Sequence, residues 1–175
     1  MTQQEEAAGG VSPGERIIPP TDHEPDATRS LVPPAAKWLG ALGALPFVAL
    51  AAAATIPDIP YREPAWFALA AYGAVILSFL GGVHWGLTIA GFGPQGTVCR
   101  TSRRLAYSVI PSLVGWGALL LPRPIGLLVL AAAFAAAVLF DSWASRIGEA
   151  PSWYPKLRWP LTAVVVASIL VGALA

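Results

Sequence analysis

His84 is the residue of this sequence best placed to do chemistry. It stands in the apolar stretch 72–86, YGAVILSFLGGVHWG, directly after Gly81, Gly82 and Val83 and beside Trp85. An ionisable side chain is costly inside a membrane helix, so it faces protein or water rather than lipid. At helical spacing His84 shares a face with Gly73, Leu77, Gly81, Thr88 and Gly91, a stripe of small or polar residues. Asp141 is the one acid within the later apolar segments. An imidazole beside a carboxylate can exchange protons, and Arg103, Arg104 or Arg158 can hold an anionic headgroup. The plainer reading is that His84 and Asp141 only join helices, by hydrogen bonds worth under ~1–2 kcal/mol each. The arginines would then be ordinary interfacial anchors.

Other chemistries lack their residues. Ser78 lies about 9 Å along a helix axis from His84 and on another face, so the two make no nucleophile–base pair. Gly91-x-Gly93 has no following lysine and no strand before it, so no phosphate loop is present. Cys99, His23 and His84 are the only Cys and His residues, too few for a zinc set. No metal or other cofactor is expected, and no paired catalytic carboxylates exist. The basic run Arg100, Arg103, Arg104 lacks interleaved aromatics, which argues against nucleic acid. An enzyme therefore ranks below a binding protein or an assembly subunit.

The elements that must position these residues belong in a membrane. Charged residues make up 12% of the chain, where a soluble domain carries about a quarter. Seven tryptophans suit the interfacial belts of a bilayer. Residues 1–34 mix Gln, Glu, Gly, Pro and Asp without apolar periodicity and read as a disordered cytoplasmic tail. Residues 35–175 read as an all-α membrane domain, a bundle of five spans at about 36–55, 64–91, 105–121, 125–143 and 159–175. Pro46 and Pro111 should kink the first and third. Ser108 and Ser112 are expected to cover the backbone that Pro111 frees.

Positive charge sets the orientation. With the N-terminus inside, cytoplasmic segments hold Arg16, Arg29, Lys37, Arg100, Arg103, Arg104, Arg146, Lys156 and Arg158, against only Arg62 and Arg123 outside. The reading is N-terminus in, C-terminus out. His84 then lies roughly 10 Å short of the inner edge. Asp141, Tyr107, Ser108 and Arg158 can share that layer, with Trp85, Trp153 and Tyr154 at its rim. The expected ligand-binding set is His84, Tyr107, Asp141, Arg158, Trp85, Trp153 and Tyr154. Gly81, Gly82 and Gly86 are expected to let another helix approach closely. If His84 and Asp141 form a coupled pair in that layer, removing the imidazole alone is expected to strand a buried acid.

The stretch 72–86, YSVIPSLVGW at 107–116, Asp141, and WYPKLRWPLT at 153–162 together resemble a known group. It is the bacterial and mitochondrial membrane family typified by transmembrane protein 69, catalogued as a domain of unknown function (DUF3429). The resemblance covers about 36–175 and implies a multi-pass membrane protein, with no reaction, ligand or partner. Two functions remain in view. One is binding of a small amphipathic ligand, a lipid or quinone-like molecule, in an inner-leaflet pocket around His84. The other is a structural or assembly role beside a membrane-complex partner or a second copy. A cavity next to His84 favours the first, and a filled polar layer with an exposed small-residue face favours the second. The Met1 start has no basic segment followed by an apolar core, and the acidic tail is unlike a mitochondrial transit peptide. The expected location is a bacterial cytoplasmic (inner) membrane.

Overall fold

Proline and glycine mark where the helices begin and stop. In the computed structural model, described for residues 31–56, 60–91 and 98–175 with the side chains of 98–100 excepted, five helices follow one another. They are α1 (Pro34–Thr55), α2 (Arg62–Ile89), α3 (Val98–Leu119), α4 (Arg123–Arg146) and α5 (Tyr154–Leu174). Proline opens α1, α4 and α5, where its missing N–H costs nothing and its fixed φ suits the first turn. Beyond the ends of α2 and α4 stand Gly91 and Gly148, at φ 69° and 75°, the left-handed step that stops a helix. No strand occurs among the described residues. The tail reading for residues 1–30 lies outside them.

Four of the five helices, α1, α2, α4 and α5, are long and apolar enough to cross a membrane. The third is not in that class. It begins at Val98 rather than near residue 105, so it takes in Arg100, Arg103 and Arg104 before its apolar part starts. The last helix also starts earlier than expected, at Tyr154, because Pro155 preorganises its first turn. Large apolar side chains such as Phe67, Phe79, Leu113 and Leu139 point outward and are more than half exposed. Lipid is the solvent such a surface requires.

The helices close into a ring in chain order, and α2 packs against each of the other four. Phe47, Leu69, Leu77, Leu127, Leu130, Phe134 and Ile169 fill the centre. The α2–α3 seam is the tightest, because glycine sits on each side of it. A Cβ on Gly115 would come within 3.2 Å of Ala74 backbone, and one on Gly81 would collide with the Ser108 carbonyl oxygen. Gly82 and Gly86 have open space before them. They face away from the bundle, so none of the five described helices uses their small-residue spacing.

Side chains cover backbone near both kinks, though not as the sequence suggests. Tyr72 Oη donates to Gly43 O at 3.0 Å, one residue past the carbonyl that Pro46 frees. Ser108 Oγ donates to Arg104 O and Leu105 O, at 2.8 and 3.0 Å, while Ser112 Oγ pairs with Ser78 Oγ at 2.9 Å. Neither serine reaches the Tyr107 carbonyl that Pro111 frees. Their hydroxyls tie α3 to itself and to α2 instead.

Arg62 and Arg123 lie together at the end of the bundle away from His84. Their guanidinium carbons stack over Trp66 at 4.6 and 4.0 Å. Arg62 also donates to Ala54 O and to the Ala175 oxygen, and Arg123 pairs with Glu63 at 2.7 Å. One cluster thus pins α1, α2, α4 and α5.

Candidate functional site

At the other end, α2 and α4 stop while α3 and α5 begin, and their polar residues meet. His84 Nε2 lies 2.7 Å from Asp141 Oδ1, and Arg158 Nε donates to Asp141 Oδ2 at 2.8 Å. One carboxylate therefore joins α2, α4 and α5. Asp141 is 2% exposed and Arg158 7%, which makes this a buried ionic pair with an imidazole added. Pairing and hydrogen bonding are what permit such burial. Because Arg158 balances the carboxylate, removing His84 does not strand the acid, contrary to the expectation for a coupled His84–Asp141 pair.

The tautomer of His84 follows from this network. Asp141 accepts at Nε2, so in the neutral ring Nε2 carries the proton and Nδ1 is left as an acceptor. Nδ1 has no partner among the described residues. The His84 ring meets Phe140 edge-on, with centroids 5.0 Å apart. On α5, Tyr154 Oη, Arg158 Nη2 and Thr162 Oγ1 are also buried without a hydrogen-bond partner among the described residues. Each stands one turn from the next on the same helix face. The site is thus richer in donors than the described residues satisfy.

Beside His84 a cleft of about 470 Å³ runs between α3 and α4, floored by α2. Its walls are Leu77, Leu80, Ile110, Val114, Val129 and a run of α4 alanines, with His84, Asp141 and Tyr107 the ionisable groups among them. Small-molecule sites occupy roughly 300–1,000 Å³ and combine apolar walls with a few polar groups, which this one matches. A second cleft of about 430 Å³ adjoins it across Tyr107 and Phe140 and is lined by Arg103, Arg104, Trp143 and Glu149.

Comparison with known proteins places the chain. Residues 32–174 match the family model described as "Protein of unknown function (DUF3429)". The chain belongs to the DUF3429 family. Transmembrane protein 69 of Xenopus tropicalis is 36% identical over 143 residues, 81% of this chain and 54% of that relative. Transmembrane protein 69 of Mus musculus is 28% identical over 142 residues, 79% of this chain and 55% of that relative. The chain spans about half the length of these curated relatives. No solved structure matches. With four helices able to cross a bilayer and these relatives, the chain is a multi-pass integral membrane protein.

Within this DUF3429 domain, the expected site residues separate into four groups. His84, Asp141 and Arg158 are in direct contact. Tyr107 lines both clefts, its ring 6.0 Å from Phe140. Tyr154 is buried one turn before Arg158, and Trp153 packs beside it with Ala144 and Ala150. Trp85 is half-exposed and lines neither cleft. Sequence reasoning missed Phe140 and Glu149. Phe140 touches the rings of His84, Tyr107 and Trp143. Glu149 reaches Arg104 at 3.5 Å and is buried. An acid in a short loop at the depth of three arginines was the available signal for Glu149.

Proposed function

We propose that this membrane domain binds a small amphipathic molecule. Its apolar part lies in the α3–α4 cleft, and its polar end meets His84. The observation that carries the reading is the cleft itself: apolar along its length and ending on an imidazole whose Nδ1 has no partner among the described residues. A ligand hydroxyl or N–H donated to that nitrogen would fix the polar end, while Asp141 holds the ring's other side. We also propose that α3 crosses the bilayer through its apolar part after Arg104. The chain would then span five times, N-terminus in and C-terminus out, in a bacterial cytoplasmic membrane, with the His84 end toward the cytoplasm.

A second reading, assembly with a membrane partner or another copy, draws on Gly82 and Gly86, which leave open space on the outer face of α2. Purification in mild detergent, with mass spectrometry of co-purifying lipids and proteins, separates the two. The binding reading expects one amphiphile at near-stoichiometric amount, lost from Ala133→Phe, which fills the cleft. Retention of that molecule by Ala133→Phe would sink it. Loss of a protein partner from Gly82→Leu, with no amphiphile present, would favour assembly.

A further inference from the structure

We infer that the occupant is a single-chain anionic amphiphile whose phosphate or carboxylate sits against Arg103, an inference that rests on the binding reading above. The two clefts share Tyr107 and Phe140, so a molecule lying across those rings enters both. Phe140 is the hub, with centroids 5.0 Å from His84, 6.0 Å from Tyr107 and 5.5 Å from Trp143. An alkyl chain suits the first cleft, whose walls are Ala, Val, Leu and Ile. The second cleft is different in kind. It holds two guanidinium groups and one carboxylate, so it carries a net positive charge. Arg104 is engaged by the buried Glu149, through Nε at 3.5 Å to Oε2. Arg103 has no ion-pair partner among the described residues and is exposed at the rim. A guanidinium offers a planar fork that matches phosphate and carboxylate oxygens. Tyr107 and Trp143, both half-exposed, form aromatic walls of the kind found at headgroup depth. His84 stands between chain and headgroup, where a glycerol-type hydroxyl can donate to Nδ1.

Titration calorimetry on the full chain in a nonionic detergent tests this with three probes. They are palmitoyl lysophosphatidic acid, monopalmitoylglycerol and glycerol phosphate. The lysophosphatidate is expected to bind about tenfold more tightly than the monoglyceride, since one charge-assisted hydrogen-bonded contact is worth that much. The margin should shrink as salt is raised. Arg103→Gln should remove it while leaving monoglyceride affinity unchanged. Equal affinity of the two chained probes in the parent overturns the inference, as does a preference that survives Arg103→Gln or is indifferent to salt. In those cases monoglyceride binding that Ala133→Phe abolishes leaves the amphiphile reading standing. Binding of neither chained probe sinks that reading and the inference with it. Glycerol phosphate binding as tightly as the lysophosphatidate would make this a site for the free anion and would also overturn the inference.

Discussion

At the residue scale, Asp141 is where stability is concentrated. Asp141→Asn leaves the Arg158 guanidinium buried without a counter-charge, and a broken buried pair costs about 3–5 kcal/mol. His84→Ala removes one hydrogen bond and keeps the ion pair, a loss of about 1–2 kcal/mol. Thermal unfolding in detergent should therefore rank parent, His84→Ala and Asp141→Asn in falling order, with the larger gap before the last. Equal losses would mean that Arg158 does not hold the acid by itself. The sequence made His84 and Asp141 conspicuous, because ionisable residues in apolar runs need partners. It placed Arg158 in the same layer but did not show that it is the acid's second partner. Three arginines and a lysine cluster at that depth, and only the rotation of α5 about its axis selects one of them. The orphan hydroxyls of Tyr154 and Thr162 were invisible for the same reason.

At the scale of elements, the α2–α3 seam makes a sharp distinction between adjacent glycines. Gly81→Leu must push the Ser108 backbone away and should destabilise by about 1–3 kcal/mol, as overpacking does. Gly82→Leu meets open space and should unfold within a degree or two of the parent, an expected shift of roughly zero for an exposed site. Comparable melting of the two variants would mean the seam is looser than described. The small-xxx-small spacing suggested Gly82 and Gly86 as the contact, whereas the contact runs through Gly81 and, from α3, Gly115 against Ala74. A spacing of four identifies a face of a helix. Which face turns inward depends on neighbours, and here His84 on the Gly81 side decided it. The proline kinks were legible, but the bonds around them were not, because a serine hydroxyl has several carbonyls within reach.

At the scale of the whole molecule, separate basic clusters stand at the two ends of the bundle. Arg62 and Arg123 gather around Trp66 at one end, while Arg103, Arg104 and Arg158 lie at the other. A reporter enzyme active only outside the cytoplasm should be active when fused after Ala175 or near Asp58, and silent near Gln95. Activity at Gln95 would reverse the orientation, and equal activity on both sides of α3 would leave it on the surface rather than through the bilayer. The helix count was readable from apolar runs between proline and glycine breaks. The start of α3 was not, since a helix continues through arginines once its apolar half is docked on α2. A pocket around His84 was an expectation of the sequence, but the walls of the cleft were not readable: it arises because α4 presents alanines where a closer fit would need larger side chains.

The flank position of that cleft changes which concentration governs its filling. Ile110, Ala132 and Ala136 on its walls are exposed on the outer surface of the bundle, so with α3 across the bilayer as proposed its mouth faces hydrocarbon rather than water. A molecule entering there has already left the aqueous phase. Occupancy then follows its mole fraction among the surrounding lipids, and diluting the suspension with buffer should hardly empty the site. Adding empty micelles or vesicles should strip it, by offering the ligand more places to be.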